Sequence, residues 1–99
     1  MDRIVVTNGV TFEWDERKNQ SNIDKHGLSF EQTVPAFFGT VLTEQDLRRD
    51  YGEERLRTLG RIRSLLVVVI IHTDRRGRVR IISARPANRM ERDQYDEAL

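Results

Sequence analysis

Residues 65–72 read Leu-Leu-Val-Val-Val-Ile-Ile-His, seven apolar positions closed by one histidine. β-Branching is continuous from Val67 to Ile71, which favours an extended chain over a helix. There is no alternation of apolar with polar residues. A strand of this kind is buried on both faces, so it belongs in the middle of a sheet with cover on each side. The run is too short to span a bilayer.

Working outward, Asp74-Arg75-Arg76-Gly77 predicts a hairpin loop, and Val79 to Ala84 a returning strand. Arg85 is held extended by Pro86. Asn88, with Glu91 three residues on, opens a final helix from Arg89 to about Ala98. On the other side, Arg63-Ser64 reads as a turn. Before it, Glu54 to Arg61 alternates, with Arg55, Arg57, Leu59 and Arg61 on one face and Leu56 and Thr58 on the other. Gln45 to Gly52 is a polar loop, and Val41 to Glu44 a short strand.

The N-terminal part is helical in pattern. Ile4-Val5-Val6 is a short strand or a frayed arm, followed by the turn signal Thr7-Asn8-Gly9. Val10, Phe12 and Trp14 share one face of a second strand. Asp15 caps a helix that ends at Lys25-His26-Gly27. Its one large aliphatic residue is Ile23, so it packs through few contacts. Ser29 and Gln32 form a capping box, and Phe30, Val34, Phe37 and Phe38 then follow a core-facing helical stripe. Pro35 removes an amide donor at that depth and should kink or shorten this second helix. The whole is one α+β domain over residues 1–99. Two N-terminal helices cover one face of a mostly antiparallel sheet of four to five strands, and a charged C-terminal helix follows. That last helix leaves cover for the second face to be completed, a role open to a protein partner.

The chain is 37% hydrophobic and 33% charged, without cysteine, which excludes disulfides and thiolate metal sites. The N-terminus lacks the apolar core of a signal peptide, so a soluble cytoplasmic protein is expected. Net charge is +1, but it is unevenly spread. Residues 1–47 carry −4, residues 48–92 carry +8 with thirteen arginines and no lysine, and residues 93–99 carry −3. An arginine-only basic segment suits a planar anionic partner, since guanidinium forks grip phosphate through two hydrogen bonds. Nucleic acid is the expected partner, with a solvated basic face as the alternative.

Several residues are candidates for chemistry. Lys25 and His26 suit proton transfer and charge neutralisation, and equally suit the negative end of a helix dipole. Arg55, Arg57 and Arg61 form a ladder on one strand face. Arg85 stands at a strand-to-helix junction rigid enough to aim at a phosphate, with Arg89 and Arg92 beyond it. Glu53 and Glu54 are weaker candidates for a base. His72 and Trp14 read as structural, whereas Tyr51 and Tyr95 could stack on a base. The histidine and carboxylate spacing matches no metal site, and there is no Gly-rich phosphate loop.

Three blocks carry a resemblance. F-E-W-D-E-R-K-N-Q-S-N-I-D-K-H-G-L-S-F-E (Phe12 to Glu31), G-E-E-R-L-R-T-L-G-R (Gly52 to Arg61) and I-I-S-A-R-P-A-N-R-M-E-R-D-Q-Y (Ile81 to Tyr95) resemble the BrnT family of type II toxins in order and spacing. The departure is Thr33-Val34-Pro35, where such toxins usually carry small helix formers. The resemblance implies a RelE-like fold and a metal-independent endoribonuclease that arrests growth and needs no cofactor. It also implies a cognate BrnA-like antitoxin with a ribbon-helix-helix part, and operator DNA bound through the complex. Carried over to this chain, it points to Lys25, His26, Arg55 and Arg85 as catalytic residues. Arg57, Arg61 and Arg89 would bind substrate. In this reading Arg55 and Arg85 hold the phosphate, Arg57 tracks the backbone and His26 moves protons. A non-catalytic nucleic-acid- or partner-binding module is the alternative.

Overall fold

The doubly apolar run lies inside a six-stranded sheet. The computed structural model describes residues 1–63 and 65–99. Its strands are β1 (Asp2–Thr7), β2 (Val10–Asp15), β3 (Val41–Gln45), β4 (Leu56–Ile62), β5 (Leu66–Arg75) and β6 (Arg78–Pro86), in the order β1-β2-β6-β5-β4-β3. Along β5 the side chains alternate between two cores, as strand geometry requires. Val68 and Ile70 join Phe12, Trp14, Phe30 and Ile81 on the first face. Val67, Val69 and Ile71 join Leu59, Ala87 and Tyr95 on the second.

This sheet corrects the expected one. It has six strands rather than four to five, and it is mixed, because β2 pairs with β6 in parallel while the other neighbours are antiparallel. Residues 2–7 are not a frayed arm: they pair with 10–15 residue for residue across the Asn8-Gly9 turn. That hairpin docks on β6, far away in sequence, and no local turn signal reports such a pairing. The other hairpin turns at Arg76-Gly77, both with positive φ, the geometry that matches strand twist in a two-residue loop. Of the expected Arg63-Ser64 turn, Arg63 has φ +47, and Ser64 lies outside the described residues.

The helices are α1 (Glu16–His26), α2 (Phe30–Thr33) and α3 (Arg89–Ala98). Asp15 caps α1 by accepting from the Arg17 amide, and Gly27 closes it in the left-handed conformation. Both expected capping boxes form, Ser29 with Gln32 and Asn88 with Glu91. The second helix is only one turn long. It passes into a 3₁₀ helix, Val34–Phe38, with Pro35 in its first turn. Three residues per turn rotate the expected stripe, so Phe30 and Val34 are buried but Phe38 is 41% exposed. Ala36 takes the buried place instead, against Gly60 of β4. A Cβ on Gly60 would stand 3.0 Å from that of Ala36, so the strand and the 3₁₀ helix meet only because Gly60 has none.

The second face of β5 needs no other protein over Val67 and Val69, which are buried by α3 and the segment before it. Tyr95 is part of that cover, its hydroxyl donating to the Thr40 carbonyl at 2.7 Å. No helix is long and apolar enough to cross a membrane among the described residues.

Candidate functional site

β4 and β6 flank β5, and Arg57 of β4 and Arg85 of β6 both lie on its second face. Arg57 pairs with Ile71 across the ladder, and Arg85 with Val69. Between them comes Glu91, from the first turn of α3. Arg85 Nη1 and Nη2 donate to its two oxygens at 2.7 and 2.8 Å, and Arg57 Nη2 donates to Oε2. The Asn88 amide adds a bond of 2.9 Å to Oε1, the second half of the capping box. Glu91 is 6% exposed. The Arg85 hydrogen bonds hold its carboxyl down at about 2, against the opposing cost of burial. Arg57 is also bonded to Glu44 on β3 at 2.8 Å. The two arginines therefore grip one planar anion supplied by the chain itself.

Lys25 and His26, both exposed, line a small depression with Asn22, Ile82 and Ser83. Ser83 and Arg85 lie opposite Ile71 and Val69, so they share the second face. The histidine arm thus rises beside the strand that carries Arg85. The reason is topological. The registered pairs of β2 with β6 end at Glu13–Arg80, and α1 takes over along the freed edge of β6. Buried Asn22 is the clasp: its Oδ1 accepts from the Ala84 amide at 3.1 Å and its Nδ2 donates to the Leu28 carbonyl at 2.8 Å. Asn19 accepts from the Phe30 amide at 2.8 Å. Side-chain amides, more than the half-buried Ile23, seat this polar helix. Asn22→Ala is expected to cost about 2 kcal/mol in denaturant unfolding by stranding two buried backbone groups. Hydrogen exchange at the Ala84 amide should speed up in parallel, and an unchanged rate would refute the clasp.

Arg55 precedes β4. Its guanidinium lies over the Tyr51 ring at 4.1 Å from the centroid, and its Nε donates to Glu53 at 3.3 Å. Glu53 also receives Arg75 at 3.3 Å, so this carboxylate is shared between two cations, while Glu54 is exposed. Arg61 and Arg89 are not brought to Arg57 and Arg85. They line a separate groove on another flank of α3, with Arg92, Asp93 and Asp96, and Arg61 leans on Tyr95 and Asp96. Burial pushes the His72 imidazole down to about 4, and its Nε2 meets Thr58 Oγ1 at 2.7 Å on the first face, a structural role as expected. Trp14 is core, with its indole N–H on Glu16 at 2.7 Å. Tyr95 is buried and its ring is not free to stack, whereas Tyr51 is half-exposed.

Three residues were not read from the sequence as parts of a site. Glu91 registered only as a helix cap, because its partner Arg57 is 34 positions away. Asn22 sits in a polar helix where nothing marks it as buried. Asp46 is buried in a loop that reads as solvated, and the one local hint is Arg48 two residues on.

Fold and site together describe a small α+β domain whose sheet clusters two guanidinium groups on the buried Glu91 carboxylate, with a lysine and histidine pair at the end of the helix beside the same strand. The family model described as ribonuclease toxin, BrnT, of type II toxin-antitoxin system matches residues 14–91, and the chain belongs to that family. The 1.1 Å crystal structure of the Brucella abortus ribonuclease toxin, BrnT, is similar over most of this chain. The two share 31% identity at a TM-score of 0.64, over 77% of this chain and 94% of that one. No curated protein matches the sequence.

Proposed function

We propose that this chain is the toxin of a type II pair and cuts RNA without a metal ion. The 2′-hydroxyl attacks the adjacent phosphorus, the bond to the 5′-oxygen breaks, and a 2′,3′-cyclic phosphate and a 5′-hydroxyl result. The observation that carries this reading is the convergence of Arg57 and Arg85 on one carboxylate beside Lys25-His26. A pair of forks that holds a carboxylate also fits two phosphate oxygens, and donors fixed in advance stabilise charge as it develops. Phosphate competes with Glu91 for these donors. A carboxylate held at about 2 is a poor proton acceptor, so His26 moves the protons and Lys25 neutralises charge beside it. This pairing exchanges the roles first given to Arg55 and Arg57: Arg57 joins Arg85 on the scissile phosphate, and Arg55 serves the backbone alongside. Arg61 and Arg89, in their separate groove, bind more distant phosphates.

The same reading takes RNA as substrate and a ribbon-helix-helix antitoxin as partner, with operator DNA contacted through the complex, in the cytoplasm. Antitoxin-free protein in EDTA is expected to cut RNA and leave cyclic phosphate ends. A 2′-deoxy residue at the cut site should block cleavage. Activity that EDTA abolishes and magnesium restores, or cleavage at the 2′-deoxy site, would overturn the mechanism. A chain that binds RNA without cutting it or slowing growth would be the binding module instead.

A further inference from the structure

The loop between β3 and β4 contains a mount that the reaction above does not use. Asp46 is buried, its side chain 1% exposed, in a segment that is otherwise polar and open. Its carboxylate accepts from Arg48 Nε at 2.8 Å, Arg48 Nη2 at 2.9 Å, the Arg48 amide at 3.2 Å and the Tyr51 hydroxyl at 3.0 Å. Its own amide donates to the Arg55 carbonyl at 2.7 Å, which ties the loop to the foot of β4. The Arg48 side chain, by contrast, is 65% exposed. A buried anion thus holds an exposed cation by one edge. Arg48 Nη1 has no hydrogen-bond partner among the described residues, so the other edge of the fork faces outward.

The mount lies close to the arginine pair. Glu44, two residues before Asp46, faces Arg57 in the ladder, and the Arg48 charge acts on Arg85. Arg57 and Arg85 each have both terminal nitrogens on carboxylates, whereas Arg48, oriented by Asp46 through Nε and Nη2, keeps Nη1 to spare. Orienting a long side chain in advance removes much of the entropy it would lose on binding. Tyr51, held by the same carboxylate, supports Arg55 from below and has Arg49 near its ring at 5.9 Å.

We propose that Arg48 grips an RNA backbone phosphate next to the one under attack, and that Asp46 is the positioning residue that aims it. The proposal rests on the ribonuclease reading for the identity of the ligand. It makes the 46–55 loop the part of the site that seats the strand before chemistry begins.

The test is binding of a fully 2′-O-methylated RNA oligonucleotide, which cannot be cut, over a range of salt. In Arg48→Ala the affinity should fall about tenfold, and the slope of log K against log salt should shrink by about 0.7 to 1, one phosphate contact. On cleavable RNA the loss should appear in KM rather than kcat. Arg48→Lys should recover the slope but only part of the affinity, because an ammonium cannot use both edges. Asp46→Asn removes a negative charge, which alone would tighten RNA binding, so a severalfold weakening at unchanged slope reports lost aim. Thermal unfolding confirms that each variant is folded. Unchanged affinity and slope in Arg48→Ala would overturn the proposal, and so would a loss confined to kcat. Asp46→Asn binding as tightly as wild type would remove Asp46 from it. Wild-type protein that shows the Arg48-dependent slope but cuts nothing would sink the ribonuclease reading and uphold Arg48 as a phosphate ligand.

Discussion

Arg85→Ala is expected to slow single-turnover RNA cleavage by about 10²–10³-fold, the usual cost of one fixed donor to developing oxyanion charge. Arg85 offers both terminal nitrogens in one plane, and its strand is pinned against β5 on one side and clasped by Asn22 on the other. Lysine should restore little, since a point charge cannot reproduce the fork. The variant should remain folded. Arg57 and the Asn88 amide still hold Glu91, and the Arg85 side chain is 40% exposed. Activity within about fivefold of wild type in the alanine variant would remove Arg85 from the reaction, because that falls far below the typical cost of losing a fixed donor.

Glu91→Ala is the substitution expected to hurt stability most among the polar groups, by about 3 kcal/mol in denaturant unfolding. It deletes four hydrogen bonds, breaks the α3 capping box and leaves Arg57, which is largely buried, without its inner partner. The effect should depend on pH with a definite sign. The folded carboxyl titrates at about 2, below its unfolded range near about 4.3, so its contribution is fully present above that range. Acidification toward about 2 removes it. Glu91→Gln should therefore flatten the acid limb of the stability curve. It should also keep cleavage, because neither arginine is then held by an inner carboxylate charge, and Arg57 keeps only its outer partner Glu44. A folded Gln variant with no activity would transfer the proton role from His26 to Glu91.

What was legible in the chain was whatever depends on near neighbours. The run at 65–72, the caps at Asp15, Ser29 and Asn88, and the left-handed stop at Gly27 all appear where local grammar places them. Pro35 was recognised as a disturbance, but the 3₁₀ path it produces also depends on Gly60, which no helical pattern contains. The parallel pairing of β2 with β6 was invisible because Glu13 and Arg80 are 67 positions apart. In the site, the arginines and the Lys25-His26 pair stood out as residue types. Their counter-ions did not, because a glutamate that caps a helix and one that also ties two strands have the same sequence signature.

Under the proposed function, that parallel pairing bears on when activity first appears in the cell that makes the chain. The histidine arm leaves the ribosome early, while the strand that receives it through Asn22 and carries Arg85 is made near the end. Local hairpins form within microseconds, whereas synthesis adds about 5–20 residues each second. The β1-β2 hairpin and α1 must therefore wait for β6, and a nascent chain holds only half of a site. On the proposed reaction, products truncated before β6 lack Arg85 and are expected to cut no RNA. The delay gives a neutralising partner made alongside the chain time to be present when the two halves close.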